Sequence, residues 1–484
     1  MAKKVKSSTS ATKSAAKSKS AGAGAKPRGA RIRMYRLGVG DCFLLTLPKA
    51  NGKQFHMLID CGVHQSQAGG SERIKKVVAN LKAETQNDID VLVCTHEHWD
   101  HISGFSQAEE LFGDDFKVGQ VWAAWTENAQ DAFAKSLLKK RGQAIAAVGR
   151  AEARMRVAGT KDAENPLTGL LGFFGDTTGK KLQEAGKVLA KLAGGKDKIR
   201  YREPGEPPIE FDGVQARIFV LGPPRNKEAI GRSDPRKGGD EVYSFGAFAA
   251  SLEAIEPALA EQRIAPFDSR FALSLENTKE KTEEMEFFDR HYWADRGDDE
   301  PEPRLDNTQD WRRIDADWLD AATSLALKLD EDTNNTSLVM AIELGDAKSG
   351  GPVLLFAADA QVGNWLSWEK VAWDDYHGRK VTGPDLLRRT LVYKVGHHAS
   401  HNATLQAKGL ELMDSIGLAL VPTDDKMAKK VGWGTLPWPK LLTRLEEKTT
   451  KRVIRTDREL AGTVDGFKVT ADEAPDKLYY DIEL

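Results

Sequence analysis

The chain has 484 residues, 40% hydrophobic and 29% charged, with a formal net charge of −2. This is ordinary for a soluble globular protein with a large core, and the overall charge names no partner. No apolar run approaches the ~20 residues that a bilayer span needs, so no membrane partner is expected.

Met1 to Ala30 carries Lys3, Lys4, Lys6, Lys13, Lys17, Lys19, Lys26 and Arg28 and no acid, among Ser, Ala and Gly. Such a segment buries too little apolar surface to offset its ordering entropy. It is expected to be a disordered basic tail over residues 1–30, without a secretory signal. It serves either as a solubilising tail or as a salt-sensitive arm for nucleic acid. Cys42, Cys61 and Cys94 sit in or beside strand-like apolar runs with no CxxC spacing. They read as buried core residues in a reducing compartment, here the cytoplasm.

A single domain is expected over residues 31–484. Arg31 to Leu47 is strand-like, interrupted by Gly38-Val39-Gly40-Asp41; Asn51-Gly52 is a hairpin turn, and a strand from Phe55 to Ile59 ends at Asp60. Ile74, Val77, Val78 and Leu81 share a helix face within Glu72 to Ala83. Ile89 to Cys94 is a buried strand that ends at Thr95-His96. After a strand from Val118 to Trp125, a helical insertion is expected at about 127–205, including a helix from Lys181 to Leu192. Phe211 to Leu221 reads as a hairpin turning at Asp212-Gly213. The charged stretch at about 226–310 is the candidate insertion or lid, and Ile314 to Leu329 a helix. Strands follow at Ser337 to Leu344, Val353 to Ala357 before Asp359, Leu391 to Val395 before His397, and Leu418 to Val421. A helix at Pro439 to Glu447, a strand at Val453-Ile454 and a hairpin around Asp465-Gly466 close the chain. Strands, then helices, then strands again predict an α/β sandwich with helical insertions.

Thr95-His96-Glu97-His98-Trp99-Asp100-His101 packs four candidate ligands, His96, His98, Asp100 and His101, into six positions. Imidazole and carboxylate together suit Zn²⁺, Mn²⁺ or Fe²⁺. His96 and His98, two apart at a strand end, point the same way and can share one ion. Asp100 and His101, at the following turn and helix start, can grip a second.

This segment resembles the His-x-His-x-Asp-His signature of the metallo-β-lactamase superfamily. Phe55 to Gly62 is similar to that family's first motif, Leu354 to Asp359 to the strand carrying its bridging aspartate, and Val392 to His401 to its last histidine motif. Within the family, Gly38 to Asp41, Asn335-Thr336-Ser337, Lys394 to Ser400 with Ala399 in place of Gly, and Thr456-Asp457 resemble the competence-protein (ComEC-like) type. The resemblance implies the family's αβ/βα sandwich and two divalent ions, zinc first and manganese as the alternative. It implies that His96 and His98 bind the first ion, Asp100 and His101 the second, and Asp359 both. One of His397 and His398 completes the second site, with His398 favoured as ligand and His397 facing substrate. Asp60 would orient a ligand histidine by hydrogen bond.

One departure stands out. Most dinuclear members have a further first-ion histidine, but only His291 lies between His101 and Asp359, in an unrelated context. Glu127 or a water is the candidate replacement. His64, Glu127, Asn335 and Ser337 are further candidates for substrate contact, and Asp100, His397 and His401 for catalysis. The function expected is hydrolysis, by metal-activated water, of a phosphodiester of nucleic-acid or nucleotide type. A lactonase or thioesterase, or a non-catalytic binding protein that keeps the fold, is the alternative. The insertions are a candidate surface for a protein partner.

Overall fold

The computed structural model describes residues 29–157, 170–175, 179–233, 291, 325–431, 433–460 and 462–484. Nearly all of the 1–30 tail, most of the 226–310 segment and the first part of the helix expected from Ile314 lie outside the described residues.

In chain order the strands are β1 (Arg31–Tyr35), β2 (Phe43–Pro48), β3 (Gln54–Ile59), β4 (Asp88–Cys94), β5 (Lys117–Ala124), β6 (Arg200–Arg202), β7 (Ile209–Glu210), β8 (Ala216–Gly222), β9 (Val339–Leu344), β10 (Val353–Phe356), β11 (Ala372–Tyr376), β12 (Arg379–Thr382), β13 (Thr390–Lys394), β14 (Leu418–Val421), β15 (Val453–Arg455), β16 (Lys468–Ala471) and β17 (Tyr479–Glu483). One sheet has the order β16-β17-β1-β2-β3-β4-β5-β6 and the other β15-β14-β13-β10-β9-β8-β7, while β11 and β12 form a separate hairpin. Each large sheet is antiparallel in one half and parallel in the other: β3 to β6 run parallel in the first, and β10, β13, β14 and β15 in the second.

Alternation explains the layering. Side chains of successive strand residues point to opposite faces. On β2, Phe43 and Leu45 enter the core between the sheets, while Leu44 faces outward. On β8, Ile218 and Val220 point inward, and Phe219 and Leu221 outward. Because both faces are covered, these strands read as continuous apolar runs. The outer face of the first sheet is covered by α1 (Gly70–Thr85), α2 (Trp99–Gln107) and, beyond α3 (Ala132–Val157), α4 (Lys180–Leu192). Val362–Ser367, Gly383–Arg388 and Pro439–Lys448 cover the second sheet with Trp365, Leu386, Leu441 and Leu445. The result is a mixed α/β sandwich, two sheets face to face with helices outside, as the sequence predicts. Among the described residues no helix is long and apolar enough to cross a membrane.

Two buried ion networks tie the sheets at their flanks. Arg33 on β1 donates from Nε and Nη2 to Asp481 on β17 at 2.8 and 2.7 Å, and Arg31 reaches the same carboxylate from Nη1 at 3.4 Å. Glu343 on β9, fully buried, gathers Arg217, Arg379 and Arg389.

The closing hairpin differs from expectation. Asp465-Gly466 precedes β16, and the β16–β17 connection is residues 472–478. Asp472 organises this longer loop by accepting from the backbone N–H groups of Ala474 and Leu478. A two-residue turn is therefore not what reverses the chain.

Candidate metal centre

The site forms where parallel strands β3, β4, β10 and β13 end, the place where open α/β sheets offer their ligand crevice. Asp60 follows β3, Thr95 and His96 follow β4, Asp359 lies beyond β10, and His397 and His398 lie beyond β13. Several of these ends are backbone-strained. Asp60 has φ 57°, Ala358 φ 47°, and His397, His398 and Ala399 have φ 43°, 49° and 62°. The left-handed region costs a residue with a Cβ about 1–2 kcal/mol, and such strain persists only where surroundings over-determine it. Here the backbone N–H of His397 donates to Ala358 O at 3.1 Å and to Asp359 Oδ1 at 3.0 Å, and His398 Nδ1 donates to Pro422 O at 3.0 Å. Gly62 is required for a different reason. A Cβ there would lie 2.4 Å from Asp100 C and His101 N, so only glycine lets the Asp60 loop lie against the start of α2.

Asp100, His101, Asp359 and His398 each present one donor atom, all within 4.8 Å of one another and all buried. Asp100 Oδ2 lies 2.9 Å from His398 Nε2 and 3.9 Å from His101 Nε2. Asp359 Oδ2 lies 3.2 Å from His101 Nε2 and 3.7 Å from His398 Nε2. The other Asp359 oxygen is already fixed, by Lys394 Nζ at 3.5 Å and the His397 N–H. Asp359 Oδ2, Asp100 Oδ1 and His101 Nε2 have no hydrogen-bond partner among the described residues. Buried polar atoms are nearly always satisfied, so this convergence of unused donors fits a divalent cation. Asp60 stands behind. It accepts from Thr95 N at 2.8 Å, Thr95 Oγ1 at 2.6 Å and His101 Nδ1 at 2.8 Å. That places the His101 proton on Nδ1 and turns Nε2 toward the cluster.

His96 and His98 form the neighbouring position. Because the Thr95 hydroxyl proton goes to Asp60, its oxygen accepts from His96 Nδ1, 3.2 Å away. His96 Nε2 is then a lone pair, 3.1 Å from His98 Nδ1. On the far side of the His98 ring, Nε2 faces Asp330 Oδ1 at 3.7 Å.

The electrostatics are consistent with cation binding. Asp41, Asp60, Asp100, Asp330 and Asp359 are buried here beside one buried ammonium, Lys394. Burial raises the Asp330 carboxyl well above the usual carboxylate range, with Glu331 adding to it, and burial also raises Asp41, against the pull of Lys394. Burial pushes His98 down to about 3 and His397 down to about 4, so both are neutral imidazoles. Burial also disfavours charge on His101, but Asp359, Asp100, Asp60 and Asp41 outweigh it and raise its pKa well above the usual value. His398 is raised in the same way, against burial, by Asp359 and Asp100.

The remaining expected residues divide. His397 is half-buried; its Nδ1 lies 2.8 Å from Ser400 Oγ, and its Nε2 3.3 Å from Asn334 Nδ2. His401, on the same loop as His397, is exposed beside the Trp438 ring. His64 is buried edge-on against Phe173 and Trp433, and Phe173 also meets the His98 ring. Glu127 does not join the cluster, because both its oxygens take Arg141, at 3.1 and 2.6 Å, and Arg141 also holds Glu97. Asn335 does not face a substrate. It donates to Ile230 O and Arg232 O and accepts from the N–H groups of Gln361 and Asn364, its full capacity. Ser337 accepts from Asp359 N at 3.2 Å, so it positions that aspartate. The reading from sequence left out Lys394 and Asp41 as a buried ion pair, and Asp330, Asn334 and Gln361 altogether. The first two lie inside the quoted motifs; no pattern marks the other three.

Residues 35–179 match the family model described as the metallo-beta-lactamase superfamily. No curated protein and no solved structure matches the chain.

Proposed function

Starting from the metallo-beta-lactamase superfamily domain at residues 35–179, we propose that the protein is a metal-dependent hydrolase of a phosphodiester, of nucleic-acid or nucleotide type. The observation that carries this reading is the convergence of Asp100, His101, Asp359 and His398, with unused buried donor atoms among them. Asp100, His101, Asp359 and His398 would hold one divalent cation, and His96 and His98, with Asp359, a second. Zinc is the cation proposed, and manganese the alternative. Bound cations supply a water of lowered pKa and neutralise charge on the oxygens of the reacting centre.

The chain's own residues do the rest. Asp60 and the Thr95 hydroxyl hold the tautomers of His101 and His96. Lys394 offsets the carboxylates. His397, neutral and half-buried, orients substrate, and exposed His401 delivers a proton to the leaving oxygen. The phosphodiester class rests on the competence-type (ComEC-like) resemblance of Lys394 to Ser400. The basic tail would add salt-sensitive phosphate contacts, and the insertions would offer a surface to a protein partner.

The test is turnover of bis(p-nitrophenyl) phosphate, a lactone and a thioester by the full chain with Zn²⁺ or Mn²⁺. Phosphodiester cleavage, lost together with metal content in Asp359→Ala while the fold is retained, supports the reading. Cleavage of the carbonyl substrates alone replaces the substrate class. Metal binding without any turnover makes the chain a binding protein.

A further inference from the structure

The first cation position has His96 and His98 but not the third histidine that the family usually supplies, and Glu127 is held by Arg141. We propose that Asp330 is a positioning residue for this position: its carboxyl oxygen accepts a hydrogen bond from the His98 Nε2–H, so that Nδ1 is presented as a lone pair to a divalent cation shared with His96. The proposal rests on the two-cation reading above.

His96 Nδ1 donates to Thr95 Oγ1, which leaves its Nε2 as an acceptor. His98 Nδ1 lies 3.1 Å from that nitrogen. Two imidazole nitrogens so close either share a proton or share a cation. For them to share a cation, the His98 proton must sit on Nε2. That nitrogen has no hydrogen-bond partner among the described residues, and the group in front of it is Asp330 Oδ1, 3.7 Å away and equally unpartnered. A small rotation of either side chain brings the pair into hydrogen-bond range. Asp330 is only 6% exposed and sits on a helix at residues 325–334. Its other oxygen accepts from Asn334 Nδ2 at 3.2 Å, and the same amide lies 3.3 Å from His397 Nε2. A chain of polar contacts therefore runs from the first cation position to the histidine assigned to substrate. A carboxylate behind a ligand histidine fixes the tautomer and ring orientation and raises basicity.

A direct ligand role for Asp330 is the competing possibility, and substitution separates the two. In Asp330→Asn the amide oxygen still accepts from His98, and Asn334, whose Oδ1 is unpartnered, can turn over to accept from the new NH₂. In Asp330→Ala nothing accepts. The experiment is Zn²⁺ stoichiometry by elemental analysis and Zn²⁺ affinity by chelator competition, on the full chain and both variants. The expected result is two ions in the parent, with one of them bound about 10–100-fold more weakly in Asp330→Ala and within a few-fold of the parent in Asp330→Asn. Equal loss in both variants overturns the positioning role in favour of a ligand. Two ions bound unchanged in Asp330→Ala overturn any role. Fewer than two ions in the parent overturn the two-cation reading itself, and this proposal with it.

Discussion

Asp60→Asn changes a single atom type, and its effect can be worked out from the structure. Every group facing the Asp60 carboxylate is a donor: Thr95 N at 2.8 Å, Thr95 Oγ1 at 2.6 Å and His101 Nδ1 at 2.8 Å. An amide NH₂ in either orientation therefore meets at least one donor. Where it meets His101 Nδ1, it drives the imidazole proton to Nε2, the atom that faces the cluster. Asp60→Asn should thus weaken cation binding through His101 by about 10–100-fold, or roughly 1.4–2.8 kcal/mol. Asp60→Ala leaves all three donors without an acceptor. At about 1–3 kcal/mol for each unsatisfied buried group, and with partial relaxation, it should cost about 3–5 kcal/mol of fold stability. The assays are chelator competition for affinity and denaturant unfolding of the metal-free protein for stability. Parental zinc affinity in both Asp60→Asn and Asp60→Ala would refute the tautomer argument, and with it the reasoning applied to Asp330.

Gly62 is not itself a ligand, yet a Cβ in Gly62→Ala would meet the Asp100–His101 backbone at 2.4 Å; a loss of about 3 kcal/mol and weakened zinc binding are expected, measured by unfolding and elemental analysis. Glu343→Ala strands the Arg217 guanidinium in the core beside Arg379 and Arg389. It should cost about 3–5 kcal/mol in denaturant unfolding while zinc stoichiometry of the folded protein stays at the parental value. Chelation of the parent should lower Tm, and restoring zinc to 100 times its Kd should add about 2.7 kcal/mol of stability, seen as a melting shift of several degrees. An unchanged Tm would count against cation binding.

The legible part of this protein was the part encoded locally. His96 to His101 fall within one turn at a strand end, so their proximity needed no tertiary information. Buried strands such as β4 and β8 declared themselves by uninterrupted apolar runs, because both their faces are covered. The β11–β12 hairpin was illegible. Its strand residues alternate with exposed Asp374, Asp375 and Lys380, and His377-Gly378 is a less familiar turn pair. Asp330 was illegible for a deeper reason. It sits on an acidic helix, and nothing in Leu329-Asp330-Glu331-Asp332 singles out the one carboxylate that reaches His98. Only the packing of that helix against the β4 end makes the choice. Asn335 and Ser337 show the converse. Their motif drew attention to the right place, but their side chains turn inward to hold backbone.

The pairing of Arg31 with Glu483 brings the start of the first described strand and the end of the last one shoulder to shoulder, with Leu484 N donating to Ala30 O at 2.9 Å. A short peptide splice there would close the fold into a ring, and the ring could be reopened at the exposed Asn51-Gly52 bend, on the side of β2 and β3 away from Asp60. Such a rewired chain would keep every contact of the cation cluster while changing the order in which its pieces leave the ribosome.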